Sequence, residues 1–285
     1  MTKYAVTGAT GKLGRLVLDE LLLQANPADI VALARDPTAL QAYDQKGVEV
    51  RRADYDDPAS LAAALAGVDR VLLISGNAVG ERERQHGAMI DAAKAAGVSY
   101  LAYTSILNAQ ASKLALAGEH AATEKLLEKS SLNHDLLRMP WYSENYTGAL
   151  APSIEHGAIY GATGDGKLST ATRKDLAAAA AGALLNSPGG KTYELAGDHP
   201  WTMSEFAQEV SRQAGKPVQY VNQTESDYAK TLESVGLPPP VASMLASTSY
   251  LAGEGELYSE SKDLSTLAGR PSTPIGETIA EALKG

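Results

Sequence analysis

The chain opens on a short β-prone segment, KYAVT (Lys3–Thr7), which runs directly into TGATGKLG (Thr7–Gly14) and a helix-like stretch. Gly8, Gly11 and Gly14 give the spacing G-x-x-G-x-x-G. No other feature of the 285 residues constrains the fold as strongly. The backbone must turn sharply out of the strand, leave room for a ligand, and bring the helix close to the strand. Glycine permits each of these because it has no Cβ. Leu13, Leu16, Val17 and Leu21 then fall on one face at the helical period. A helix that begins in such a turn offers free N–H groups and a partial positive charge to a phosphate.

The following segments repeat the rhythm. Strand-like runs occur at 29–33 (DIVAL), 48–51 (VEVR), 69–75 (DRVLLIS), 99–105 (SYLAYTS) and 134–138 (HDLLR). Helix-like runs separate them, at 84–96 (closed by Gly97) and at 118–129 among others. DRVLLIS is apolar throughout, as a strand covered on both faces requires. The pattern predicts an α/β protein of Rossmann type: a doubly wound parallel sheet with a smaller C-terminal α/β substrate region. Residues 1–153 form the expected nucleotide-binding part and 154–285 the substrate side, with 170–198 packing back onto the first part. DLAAAAAGALL (175–185) reads as a closely packed helix, KTYEL (191–195) as a further strand, and T-M-S-E at Thr202–Glu205 as a capping box. Residues 222–260, with a PPP break, read as short helices and loops.

A second GATG lies in YGATGDGK (160–167). Turn residues fill it and no amphipathic helix follows, so it reads as a hairpin on the substrate side.

Composition excludes several chemistries. There is no cysteine, hence no disulfide, thiol catalysis or Cys-ligated metal. The five histidines lack metal-ligand spacing, so no metal is expected. A formal charge of -9 argues against nucleic acid as a partner. No apolar run approaches about 18 residues and no leader pattern precedes KYAVT, so a cytoplasmic protein without a membrane span is expected. A monomer and a homodimer both remain open.

Ligands of such sheets bind at the carboxyl ends of the strands. The second strand ends in Leu33-Ala34-Arg35-Asp36-Pro37. An acid there would hold a ribose 2′-OH, whereas the Arg35 guanidinium suits a 2′-phosphate. Lys12 adds charge nearby. This favours NADPH over NADH.

TGATGKLG, ALARDP, the Asp54-Tyr55 pair, VLLISG, AAKAAGV, YTSI, HAATEKLL, RMPWYSENY and GDGKLSTATR occur in that order. With them the chain resembles the NmrA-like atypical short-chain dehydrogenases/reductases, from about residue 3 to the C-terminus. The resemblance implies NADPH bound through Gly8, Thr10, Gly11, Lys12, Leu13 and Arg35, with Ser75, Gly76, Asn77 and Thr104 around it. It implies a small-molecule acceptor in a cleft lined by Trp141, Tyr142 and Asn145, with Met139 at its mouth, where Met139-Pro140 departs from the family's pattern; Thr172 and Arg173, at the helix start that follows the second GATG, are within reach of the same ligand. Quinones are the acceptor it favours. Conjugated dyes of the triphenylmethane type are one alternative, and a non-catalytic NADP-binding redox sensor is another.

Tyr43 has a lysine at i+3, and Tyr103, Tyr142 and Tyr146 have none at i+4, so none of these four tyrosines supplies the Tyr-x-x-x-Lys pair of ordinary short-chain dehydrogenases. A quinone tolerates that absence, because aromatisation stabilises the oxyanion that hydride transfer leaves. Proximity then does most of the catalysis. Candidate catalytic groups are Tyr142 and the i, i+4 pair His120 and Glu124, which otherwise read as an exposed helix pair.

Overall fold

The structure, a computed structural model, describes residues 1–284. The chain runs β1 (Tyr4–Val6), α1 (Lys12–Leu22), β2 (Ile30–Ala34), α2 (Gln41–Asp44), β3 (Glu49–Arg52), α3 (Pro58–Ala64), β4 (Arg70–Leu73), α4 (Arg82–Ala95), β5 (Tyr100–Ile106), α5 (Ala117–Ser130) and β6 (His134–Met139). There follow α6 (Glu144–Thr147), α7 (Leu150–His156), β7 (Ala158–Gly161), α8 (Arg173–Asn186), β8 (Thr192–Glu194), α9 (Met203–Ala214), β9 (Gln219–Asn222), α10 (Glu225–Ser234), α11 (Pro239–Gly253), α12 (Asp263–Ala268) and α13 (Ile275–Ala282).

Seven strands form one sheet in the order β3-β2-β1-β4-β5-β6-β8, every pair parallel. The order reverses between β1 and β4, which opens a crevice at their carboxyl ends. β5 is buried along its whole length because helices cover both faces. One face packs on α1 and α8, the other on residues of α3, α4 and α5.

The alanine run is explained by where α8 sits. Ten of its residues are buried, between α1, the sheet and α12. Its contact with α12 is so close that a Cβ at Gly182 would fall on the Leu267 carbonyl oxygen. Small side chains let four elements meet there. β8 then joins the sheet edge beside β6. The capping box forms as expected, with Thr202 and Glu205 satisfying each other's backbone N–H groups.

Two expectations need correction. The second GATG is not a hairpin: β7 pairs in parallel with β9, from Ala158 opposite Gln219 to Gly161 opposite Asn222. The loop is instead pinned by tertiary contacts. The Thr163 amide donates to the Tyr220 hydroxyl, and the Gly164 amide to Asn222 Oδ1. A Cβ at Gly166 would collide with Gly253 at the end of α11. The PPP stretch does not break structure either: it starts the 15-residue α11, where the missing N–H groups of Pro239 and Pro240 cost nothing.

Candidate active site

The first glycine loop takes the shape its spacing demands. Gly8 adopts a left-handed φ of +58°, and a Cβ at Gly14 would fall on the Gly8 carbonyl oxygen. The loop therefore folds back on itself in a way only glycine allows. α1 begins at Lys12 without a side-chain cap and without an acid in its first turn. By contrast α3, α8, α9 and α10 are each capped by an Asp or Thr oxygen. The start of α1 thus keeps its donors and its partial positive charge open to an anion.

In front of it lies a cleft of about 280 Å³ at the carboxyl ends of β1 to β4. Gly8, Thr10, Gly11, Arg35, Ser75, Gly76 and Asn77 line it. Lys12 stands exposed beside it, and Leu13 is buried in the core, where it anchors the start of α1. Thr104 is buried beneath the cleft, and its hydroxyl accepts from the Ser75 amide at 2.9 Å. Sequence reasoning did not assign Ala53, Asp54, Tyr55, Asp56 and Gln85, which form the far wall. Asp54-Tyr55 was visible as a motif, but nothing local showed that β3 ends opposite β4.

Arg35 and Asp36 point to different tasks. Asp36 accepts from the Thr38 amide at 3.0 Å and the Thr38 hydroxyl at 2.6 Å, capping a turn that starts at Pro37. Those hydrogen bonds hold its carboxyl below the usual range. Arg35 lines the cleft, is exposed, and forms no ion pair among the described residues. Arg15, which the sequence reading did not assign, donates to the carbonyls of Thr10 and Ala39 and so ties the glycine loop to this segment.

The loop Ser75–Asn77 is held from below. Gly76 donates its amide to His86 Nε2 at 3.0 Å and accepts at its carbonyl from Arg82 Nε at 2.7 Å. His86 Nδ1 lies 2.9 Å from the Thr123 hydroxyl. Because Nε2 accepts from a backbone amide, the proton sits on Nδ1. Burial, with the charges of His120 and Arg82, lowers His86 to about 3, so the ring is neutral. The Ser75 hydroxyl is buried and has no protein partner among the described residues.

Glu124 and His120 are buried, not an exposed helix pair. Glu124 accepts from Arg138 at 2.7 and 2.9 Å, from Ser105 at 2.7 Å and from Gln110 at 3.2 Å. Burial would raise its carboxyl, but these donors outweigh it and hold it below the ordinary value. It is fixed as a carboxylate, the opposite of what a proton donor needs. His120 Nδ1 lies 2.8 Å from the Tyr103 hydroxyl, and burial lowers the ring to about 4. Tyr142 lies under the Arg173 guanidinium, 4.1 Å from the ring centre, and burial raises its phenol against the charge of Arg173.

Among the expected substrate residues, Trp141 and Asn145 line a second cavity beyond β6. Thr172 caps α8, and Arg173 reaches Asn145 Oδ1 at 3.1 Å. Met139 is buried and packs in the core on the α1 and α8 side of the sheet. No group of three or more acidic or histidine side chains able to hold a metal occurs among the described residues, and none of their helices is long and apolar enough to cross a membrane.

These features set the comparison with known proteins. A family described as NAD(P)H-binding matches residues 8–187. Quinone oxidoreductase 2 of Escherichia coli is 49% identical over 278 residues, spanning 97% of each chain. A solved NADPH-dependent quinone oxidoreductase from E. coli, complexed with NADPH, is similar with a TM-score of 0.95 at 48% identity, over 98% of this chain and 99% of that one. The Citrobacter sp. triphenylmethane reductase complexed with NADP(H) is similar at 0.94 and 36% identity, over 98% and 100%. The chain therefore belongs to the NAD(P)H-binding family, within the NmrA-like short-chain dehydrogenases/reductases that its motifs resemble.

Proposed function

We propose that the protein reduces quinones by two electrons at the expense of NADPH, by direct hydride transfer and without flavin. The observation that carries this reading is a division of the sheet's carboxyl edge. The polar cleft with unpaired Arg35 lies over β1 to β4. An uncharged cavity of about 250 Å³ lies beyond β6, behind Trp141, with a small apolar crevice between Ile106, Leu114 and Trp141 beside it. From β2 to β5 is three strand spacings, about 14 Å, a span suited to an extended dinucleotide.

The cleft residues fit the cofactor: a glycine turn without Cβ, an uncapped helix start, a free guanidinium and the unpartnered Ser75 hydroxyl. When bound, NADPH supplies the hydride. Arg35 and the α1 amides would hold its phosphates, and the clamped Ser75–Asn77 loop would fix its depth. The quinone gains a hydride and a proton to become the hydroquinone. The cavity of about 250 Å³ behind Trp141 has room for the acceptor, and its walls place it and keep water from the transfer.

We assign Tyr142 and His120 as the groups that hold a proton near the acceptor, and Glu124 as the residue that positions Ser105 through its hydrogen bond. Trp141, Asn145 and Arg173 shape the acceptor side. NADPH oxidation on adding 1,4-benzoquinone tests the reading. Tight NADPH binding without quinone-stimulated turnover would sink it. Comparing kcat of Tyr142→Phe and His120→Gln then separates the two proton sources: the variant of the true source loses kcat, and the loss lessens at low pH.

A further inference from the structure

Two buried histidines, His86 of α4 and His120 of α5, pack against one tyrosine of β5, and their hydrogen bonds differ. The Tyr103 ring centre is 5.4 Å from that of His86 and 5.9 Å from that of His120. His86 takes the Gly76 amide at Nε2, so its proton is on Nδ1, where the Thr123 hydroxyl accepts it. Thr123 spends its own proton on the Glu119 carbonyl. His120 has one side-chain hydrogen bond among the described residues, between Nδ1 and the Tyr103 hydroxyl at 2.8 Å.

Counting protons gives that bond a direction. Tyr103 is fully buried, and burial raises its phenol well above the ordinary value, so the phenol keeps its proton. His120 is lowered to about 4, chiefly by burial, so the ring is neutral and carries one proton. Were that proton on Nδ1 and aimed at Tyr103, the phenol proton would need a second acceptor. Tyr103 makes no other hydrogen bond among the described residues, and the neighbouring Ser75 hydroxyl makes none. A buried O–H without an acceptor is unfavourable. With the phenol donating to Nδ1, every proton is placed, and the ring proton falls on Nε2.

Nε2 has no partner among the described residues, and 8% of the His120 residue is exposed. Helical side chains lean toward the N-terminus of their own helix. From α5 this carries the ring over the turn at Leu116, which lines the crevice beside Trp141. On the reading given above, that is the acceptor side of the sheet's edge. We propose that Tyr103 is a positioning residue, whose hydroxyl locks His120 with its proton on Nε2, as a hydrogen-bond donor to the reduced acceptor. Hydride from NADPH adds to the acceptor, and the electron pair moves to a carbonyl oxygen. Nε2–H then binds the oxyanion. A neutral imidazole is too weak an acid to release that proton, so His120 keeps it, and water protonates the oxygen. The groups that face His120 are Arg82 and His86 of α4, Tyr103 of β5 and Glu124 of its own helix. Glu124 is held as a carboxylate by Arg138, and His86 is neutral.

The experiment is nitrogen NMR of the full chain labelled with ¹⁵N-histidine, in the presence of NADPH and without quinone. The His120 signals are assigned by their loss in His120→Gln. The expected result at pH 7 is His120 protonated on Nε2 and His86 on Nδ1. His120 is then titrated in the wild type and in Tyr103→Phe. A bond donated to the neutral ring stabilises it, so its loss should move the His120 midpoint up from about 4 toward 6.5. Had the ring been the donor, losing its acceptor would move the midpoint down. In the same variant, kcat with 1,4-benzoquinone at pH 7 should fall about tenfold while KM for NADPH is unchanged. A His120 protonated on Nδ1, or a midpoint that stays or falls, overturns the lock. The wild-type tautomer decides even if Tyr103→Phe does not fold. A lock that forms without any effect on kcat overturns the positioning role while quinone reduction stands. If no quinone accelerates NADPH oxidation in the wild type, the reductase reading falls and the role of Nε2 with it, whatever the tautomer.

Discussion

His86 Nε2 accepts the amide proton of Gly76 at 3.0 Å, from beneath the loop that lines the dinucleotide cleft. Arg82 grips the carbonyl of the same residue, so α4 holds the two peptide units on either side of the Gly76 Cα. Removing the acceptor leaves a half-buried donor without its partner, at a cost of about 1 kcal/mol. His86→Ala is expected to raise KM for NADPH several-fold and to lower the melting temperature. His86→Gln, which can again accept, should recover part of both. Because Gly76 and Arg35 lie at different strands, the NADPH-to-NADH preference should stay constant. A changed preference would show that the clamp does something else.

Arg35 should govern that preference. A charge-assisted hydrogen bond contributes about 1.5–3 kcal/mol, or roughly 10- to 100-fold. Arg35→Ala is expected to raise KM for NADPH by that factor while KM for NADH hardly moves. Equal changes for both cofactors would mean that the 2′-phosphate is held by other groups.

Gly14 is a packing requirement. A methyl group there meets the Gly8 carbonyl, which is backbone and has nowhere to go. Gly14→Ala should weaken NADPH binding, measured by fluorescence titration, by at least tenfold. The Gly118→Ala control has open space within 4 Å of its Cβ and should bind normally.

The Glu124–Arg138 pair should be costly to break. Glu124 is fully buried and Arg138 nearly so, with Glu194 as the second partner at 2.9 Å. Taking one member from a buried pair costs about 3–5 kcal/mol, because the other charge is left in the interior. Glu124→Gln should therefore lower the urea midpoint markedly. If unfolding is unchanged, the pair carries no such weight.

Acid should destabilise the fold through two histidines. In the folded chain His86 is lowered to about 3 and His120 to about 4, chiefly by burial, from an ordinary value of 6.5. The unfolded state then takes up protons first. Their contribution is complete above pH 6.5 and is lost as pH falls from there towards 3–4. By about pH 4.5 each should have cost on the order of 2 kcal/mol. Urea unfolding at pH 7.0 and 4.5 should show a smaller loss in His86→Gln than in the wild type.

Much of this was legible locally. KYAVT, the glycine spacing and the Leu13–Leu21 face are short-range patterns, and they determined a strand, a turn and an open helix start. The apolar runs at 69–75 and 99–105 likewise marked strands covered on both faces. Spacing alone also put Arg35 and Asp36 at the end of β2, but could not say which one faces the ligand. The Thr38 hydrogen bonds decide that, by occupying Asp36.

Other features depended on residues that only folding brings together. Glu124 and Arg138 are 14 residues apart, and the strand register that places Ser105 beside Arg138 makes one a carboxylate clamp. The second GATG had the composition of a hairpin, yet β9 supplies a parallel partner whose hydrogen bonds outweigh local turn preference. The cavity behind Trp141 draws its walls from α7, β7, α9, α10 and α11. Local periodicity tells a chain which face to bury. What that face is buried against, and whether a gap remains between the surfaces, is decided by contacts between distant segments, and these exist only in the tertiary structure.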